Sequence, residues 1–348
     1  MQSLFAYEEQ LERIKAHRPP LQRLDAVIDW ERFREPLEAA FRIEPKGPGG
    51  RPPYDRVMMF KILILQRYYN LSNEQTEFQI LDRLSFLEFL GLELGDKVPD
   101  ANTIQIFKET LTAKGVEAIL FEQFTRELET QGVIAKEGSL VDASFVEIPR
   151  QHHRSEEKEA LKQGAVPLHF GEMDKNGKRS CLAQKDLDAR WARKNQKMYF
   201  GYKNHIKADT KSKLIQRYAV TDAAVHDSQM FEALVNEADK DQEVHADKAY
   251  HSEKIEAYLA ALGCLSRIHE RGTRNHPLSD EQKAANRHRS KIRARVEHIF
   301  GFIHTSMKGS SNRCIGYARN RFQIGLMNLT YNLFRYEQLV RLQGVSRL

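Results

Sequence analysis

Apolar side chains recur at helical spacing through the first third of the chain and gather into strand-length runs after it. Residues 1–45 read as amphipathic helices. KGPGGRPP at 46–53 breaks that pattern and reads as a loop. A helix is predicted over 54–69, where Val57, Met58, Phe60, Ile64 and Tyr68 form a stripe better explained as core than as a ligand box. Ser72 with Gln75, and Ser85 with Glu88, have capping-box spacing. Asp100 precedes an apolar-periodic stretch to Leu111, as an N-cap does. A longer helix is predicted over about 115–131, stopping at Gly132. Residues 1–132 therefore read as an all-helical domain.

The period changes at residue 138. GSLVDASFVEI is rich in Val, Leu, Ile and Phe over strand length. Residues 149–198 are polar and basic with few apolar anchors, and read as an insertion or mobile loop. Strands are predicted at 199–208, 214–221, 243–247 and 264–269, with helices at 227–239, 252–262, 280–305 and 320–342. This order predicts an α/β domain over 138–343, a sheet with helices on its faces.

Composition narrows the class. Of 348 residues, 41% are hydrophobic and 29% charged, the balance of a globular chain rather than a disordered one. The strongest apolar run, Val57 to Leu65, is interrupted by Lys61 and is far below the ~18–20 residues a membrane span needs. The first residues, MQSLFAYEEQ, lack the basic and apolar parts of a signal peptide. Cys181, Cys264 and Cys314 are too widely spaced for a disulfide framework or a zinc site, which points to a reducing cytoplasm. The net charge of +6 is unevenly spread. Residues 149–214 carry 16 basic and 8 acidic groups, and residues 268–313 carry 10 and 4. Between them, residues 215–267 carry 5 and 10. A polyanion could lie across the basic segments while the acidic one holds cations.

Three acids stand out. Asp142 lies inside an apolar strand, where Asp is depleted. Asp247 closes the strand EVHAD, and sites in α/β sheets form at strand carboxyl ends. Glu297 sits within KIRARVEHIF, where alone it would be a solvated glutamate paired with Arg293. Together the three could surround Mg²⁺, which prefers carboxylate oxygens and leaves room for phosphate. Two such ions could activate an attacking oxygen and stabilise a leaving one. Arg287, Arg289, Lys291, Arg293 and Arg295 would hold the polyanion. On a continuous helix Arg289, Arg293, Glu297 and His304 share one face.

The chain resembles the DDE transposases of bacterial insertion sequences, in the branch of insertion sequence five. GRPPYDRVMMFKILILQRYYNLS (50–72) and PDANTIQIFKETL (99–111) resemble that family's helical N-terminal part. LVDASFVEIP (140–149), YFGYKNHIKAD (199–209), VTDAAVHDS (220–228), ADKAY (246–250) and RARVEHIFGFI (293–303) resemble its catalytic part. The resemblance implies that Asp142, Asp247 and Glu297 form the catalytic, metal-binding triad on a ribonuclease-H-like fold. It also implies Mg²⁺ or Mn²⁺, as two ions, and double-stranded DNA as partner, both terminal inverted repeats and target. A homodimer or larger assembly on DNA is implied because two ends must be paired. In the family's C-terminal signature of Tyr, Arg, Glu and Lys, Arg293 and Glu297 match, while Ser290 and His304 stand in the Tyr and Lys slots. Lys308 is one turn further on.

Other expectations follow from the residues themselves. If 199–208 is a strand, Lys203, His205 and Lys207 project from one face and could contact phosphates, with Trp191 or Tyr202 stacking on a splayed base. His226 or Asp227 reads as a helix cap, with a site role as the alternative for the histidine. Residues 101–111 could be the recognition helix of a helix-turn-helix, although Lys108 is their only cation. Three functions compete: a transposase that cuts and joins DNA, a transposase-derived DNA-binding protein with impaired chemistry, and a ribonuclease-H-like nuclease without strand transfer.

Overall fold

A computed structural model describes residues 6–42, 52–151, 155–163, 185–272 and 277–345. Helices α1 (Ala6–His17), α2 (Pro20–Asp25) and α3 (Arg34–Phe41) precede α4 (Arg56–Tyr69). Then come α5 (Asn73–Asp82), α6 (Leu84–Leu90), α7 (Ala101–Lys114) and α8 (Val116–Thr130). Side chains set several starts: Asp55 caps α4, the Ser72–Gln75 box caps α5, and Asp100 caps α7. The Ser85–Glu88 box does not form. Arg83 alone joins α5 to α6, so α6 begins at Leu84, and Ser85 instead gives its carbonyl to Gln22. The stripe on α4 widens to nearly the whole helix surface, with Met59, Ile62, Leu63 and Leu65 also buried. A helix apolar all round belongs inside a core.

The sheet is mixed. β1 (Gly138–Glu147) pairs antiparallel with β3 (Lys197–Asp209) and parallel with β5 (Glu243–Ala246). The other edge of β3 carries β2 (Arg190–Lys194) along its first part and β4 (Ile215–Asp222) along its second. The short β6 (Leu265–Ser266) pairs parallel with β5. Between strands lie α9 (Ser155–Lys162), α10 (Phe231–Leu234) and α11 (Glu253–Leu262), and α12 (Asp280–Gly301) and α13 (Tyr317–Gln343) follow.

The helical region and the sheet share one hydrophobic cluster, which runs from Leu21 through α4 and α8 to Ile206, Ile299 and Leu339. A second cluster, with Val141, Phe231, Val244, Tyr250 and Leu259, covers the opposite face. α13 is the joint. Gly325 lets it approach closely, because a Cβ there would lie 2.4 Å from the Tyr218 hydroxyl and 2.9 Å from Glu117 Cγ. The buried Arg67 of α4 donates to the Met307 carbonyl at 3.0 Å, fastening the N-terminal helices to the end of the α12 segment.

Several expectations change. The segment 149–198 contains α9 and β2; its residues 152–154 and 164–184 lie outside the described residues, as does most of the 46–53 breaker. The helix expected at 227–239 is three short turns, because the Asn236–Asp239 box starts a new turn. The 280–305 helix stops at Gly301 and continues as a π-helix, Phe302–Ser306. A π turn holds more residues than an α turn, so the face shared by Glu297 and His304 does not continue unchanged through it. Among the described residues no helix is long and apolar enough to cross a membrane.

Candidate active site

The register of the two central parallel strands creates the site. Val141 pairs with Ala246, so the next residues, Asp142 and Asp247, stand side by side at the end of the ladder. Neighbouring strands are about 4.8 Å apart. Asp142 Oδ1 accepts the Ala143 amide at 2.8 Å. Asp247 Oδ1 accepts the Ala249 amide at 2.7 Å, capping the turn Lys248–Tyr250. Each carboxylate therefore leaves Oδ2 facing Arg293. Arg293 of α12 lies between them, its Nη1 3.8 Å from Asp142 Oδ2 and 3.7 Å from Asp247 Oδ2.

Electrostatics mark Asp142. Burial pushes its pKa up to about 6; the Ala143 amide and Arg293 pull it down, and Asp247 pushes it further up. A cation is what this pair lacks energetically, and Arg293 partly supplies it. Tyr250 closes the turn that Asp247 caps. Its hydroxyl is buried with no hydrogen-bond partner among the described residues. Burial first, then Asp227, Asp142 and Asp247, push its pKa far up, so it remains a proton donor. The ADKAY block contains this tyrosine, but nothing in the spacing announces a buried orphan hydroxyl. Beside Asp247 opens a cleft of about 630 Å³, lined by His226, His269, Glu270, Arg271 and Asn286. His226 also caps the turn Asp227–Met230 through the Ser228 amide.

The structure brings together two of the three expected acids. Glu297 is exposed on α12, one turn beyond Arg293, with no ion pair or hydrogen bond among the described residues. No three His, Cys, Asp or Glu side chains among those residues are grouped to hold a metal. Arg293, which the isolated helix would have paired with Glu297, reaches the aspartates instead.

The expected DNA-contacting residues divide. Arg287, Lys291 and Lys308 are exposed and have no partner among the described residues. Arg289 donates to the Ile268 carbonyl at 2.8 Å and lies 3.3 Å from Glu270, and Arg295 donates to the Thr210 carbonyl at 2.9 Å. Replacing Arg287 and Lys291 with Ala should lower the log–log salt slope of DNA binding by about 0.9 for each phosphate no longer neutralised. Anisotropy titrations across NaCl concentrations check this, and an unchanged slope would make the pair a solvated helix face.

Lys203, His205 and Lys207 do not face phosphates: all three are buried. The β3 face that carries them is covered by the turns after β4. Lys203 pairs with Asp227 at 2.8 Å and donates to the Val225 carbonyl, His205 meets Thr221 Oγ1 at 2.8 Å, and Lys207 pairs with Asp239. Tyr202 is also buried, with its hydroxyl on Asp186 at 2.8 Å, and Trp191 packs on Phe200 and donates to the Gln151 carbonyl, so neither ring is free to stack on a base. Lys108 of the supposed recognition helix donates to Gln66 at 2.9 Å.

His304 lies against Phe300, with Nε2 2.9 Å from Ser144 Oγ on β1. Burial lowers its pKa rather than a phosphate raising it. Burial likewise lowers His245, His269 and His205, the last to about 4. Unfolding therefore takes up protons below about pH 6.5, so this stability is full above that pH and is lost as pH falls toward 4. His205 alone should remove on the order of 2 kcal/mol by pH 5; the raised pKa of Asp142 acts in the opposite sense by on the order of 1. The urea midpoint should fall between pH 7.5 and 5, and a constant midpoint would contradict neutral buried histidines.

Asp142 and Asp247 thus stand side by side where the β1–β5 pairing ends, sharing Arg293, beside a helix rich in arginine and lysine. A family model described as a transposase DDE domain matches residues 135–333, and one described as a transposase domain (DUF772) matches residues 8–110. The chain belongs to the transposase DDE family; it is a DNA transposase, and a metal-dependent one. Among solved structures it is similar to a piggyBac transposase synaptic complex with hairpin DNA seen by cryo-EM. That likeness has 9% identity and a TM-score of 0.42, and covers 94% of this chain and 77% of that one.

Proposed function

We propose that this transposase serves an insertion sequence of the insertion-sequence-five branch, cutting at terminal inverted repeats and joining the freed ends to target DNA. The observation that carries the reading is the pairing of Asp142 and Asp247 around one cation where the parallel pairing of β1 and β5 ends. Four strands in antiparallel pairs, β1 to β4, followed by two added in parallel, β5 and β6, with α12 beside them, support a ribonuclease-H-like domain over 138–343. Residues 1–132 would then form its helical DNA-binding or assembly part.

The residues present fit hard divalent ions. Two carboxylates each turn a free oxygen to a common point, and Arg293 already holds a positive charge there. Asp142, Asp247 and Glu297 would hold Mg²⁺ or Mn²⁺, as two ions. Bound there, the metal supplies charge stabilisation and an activated oxygen nucleophile. Arg293 would release the carboxylates and turn to the phosphate, a guanidinium being suited to bidentate phosphate contact. Glu297 has no partner to leave and lies one turn away. Tyr250 keeps its proton, and its buried, unpartnered hydroxyl lies within the electrostatic influence of Asp227, Asp142 and Asp247. Arg287 and Lys291 would bind flanking phosphates. Two ends must be held together, so a homodimer or larger assembly acts, in the bacterial cytoplasm at the nucleoid.

Duplex carrying the terminal repeats, incubated with Mg²⁺ and a target plasmid, tests the reading. Cleavage at the repeat and covalent joining of the 3′ end are expected. Cleavage without joining would indicate a nuclease, and binding without cleavage a DNA-binding protein only.

A further inference from the structure

On the far side of α12 from the aspartates lies a cluster of cations that the reaction above does not use. Arg295 follows Arg293 by two residues, about 200° around the helix. Arg295 Nη1 donates to the Thr210 carbonyl at 2.9 Å. From α13, Arg335 Nε donates to the Ser212 carbonyl at 2.6 Å, and the Tyr331 hydroxyl donates to the Lys213 carbonyl at 2.8 Å. The β3–β4 turn is thus tied through three carbonyls. Asp209, buried beneath it, spends Oδ2 on the amides of Lys211 and Ser212 and on the Ser212 hydroxyl. Lys213 tops this turn in the left-handed conformation, φ 62°.

The turn walls a cleft of about 380 Å³ whose floor is Tyr68, Phe302, Tyr331 and Phe334. Four Lys and Arg side chains line it against one carboxylate, Glu337. That carboxylate is already committed to Arg23 at 3.3 Å and Arg341 at 2.8 Å. Lys213, Arg295 and Arg335 have no carboxylate partner among the described residues, and Lys213 has no side-chain partner there at all. Burial, then Arg335 and Arg295, lower the Lys213 pKa, so its charge is held at a disadvantage. An anion would relieve that repulsion, and the aromatic floor would strengthen its attraction by excluding water.

We propose that this cleft holds a backbone phosphate of DNA through Lys213 and Arg335, which line it, with Arg295 of α12 close to Lys213 beside it, on a path separate from the phosphodiester at the aspartates. The choice of DNA over another phosphate-bearing ligand rests on the transposase reading. The rigid turn presents Lys213 at a fixed place, and Arg335 and Arg295 keep further N–H groups after donating to the turn.

The test is the salt dependence of duplex binding by the full chain, wild type against Lys213→Asn and Lys213→Arg. Asn tolerates the left-handed backbone, so the turn should survive; unchanged melting temperatures verify this. Lys213→Asn should weaken binding several-fold and lower the log–log slope by about 0.9, while Lys213→Arg retains both. An unchanged slope in Lys213→Asn overturns the proposal. So does calorimetric binding of AMP that is tight in wild type and abolished in Lys213→Asn while the duplex slope stays constant, since the cleft would then take free nucleotide. Cleavage assays keep the two readings apart. A wild type that binds duplex through Lys213 yet never cleaves it contradicts the transposition chemistry alone. Normal cleavage with an unchanged Lys213→Asn slope contradicts this site alone.

Discussion

Asp247→Asn should abolish strand cleavage, by about three orders of magnitude or more, while leaving DNA binding intact. The expected size is that of losing one member of a catalytic unit. Asn keeps the shape and can still accept the Ala249 amide that organises the turn, so the backbone should hold. What disappears is the charge on the oxygen that faces Arg293 and, in the proposed site, would face the metal. Arg287 and Lys291, the proposed phosphate contacts, are untouched by the substitution. Cleavage of end-containing duplex, with binding measured on the same preparation, separates the two effects. Near-normal nicking by the variant would remove Asp247 from the metal site.

Lys207→Met should destabilise the fold by about 3–5 kcal/mol, the cost of leaving a buried charge without its partner. Lys207 and Asp239 are 3% and 2% exposed, and no solvent replaces the missing ammonium. Arg217, 3.8 Å from the other Asp239 oxygen, softens the effect without removing it. Met fills the same volume, so the charge is isolated from packing. A companion Asp239→Leu in the same chain should recover most of the stability, because no unpaired charge then remains. Urea unfolding of the two variants checks this. The salt slope of DNA binding should not change. A slope lower by about 0.9 would mean that Lys207 reaches phosphate and that the packing around β3 is wrong.

These two residues show what the chain discloses and what it hides. Asp142 and Asp247 were legible because an acid in or at the end of an apolar strand is costly without a reason, and strand ends are where α/β sites form. Capping side chains placed α5 and α7 for a similarly local reason. Lys207 was misread because period-2 alternation tells which residues share a face but not what covers it. The cover comes from turns some 20 to 30 residues later in the chain, where Asp227 and Asp239 meet Lys203 and Lys207. His304 was misread because the helix changes to a π turn before it. Arg293 looked like an ordinary i−4 partner of Glu297, and only the approach of α12 to the sheet shows it between the aspartates. The cleft at Lys213 joins a turn, α12 and α13, and no spacing rule connects them.

The central claim is that Asp142 and Asp247, where the pairing of β1 and β5 ends, form a metal centre to which α12 contributes. Iron-directed cleavage of the polypeptide tests it without DNA. Fe²⁺ bound in place of Mg²⁺, with ascorbate and peroxide, generates hydroxyl radicals that cut the chain only beside the metal. The account predicts fragments ending near Asp142, Asp247 and Glu297, suppressed by excess Mg²⁺ and absent from Asp247→Asn. Cleavage centred elsewhere, or cleavage at these places undiminished in Asp247→Asn, would contradict it.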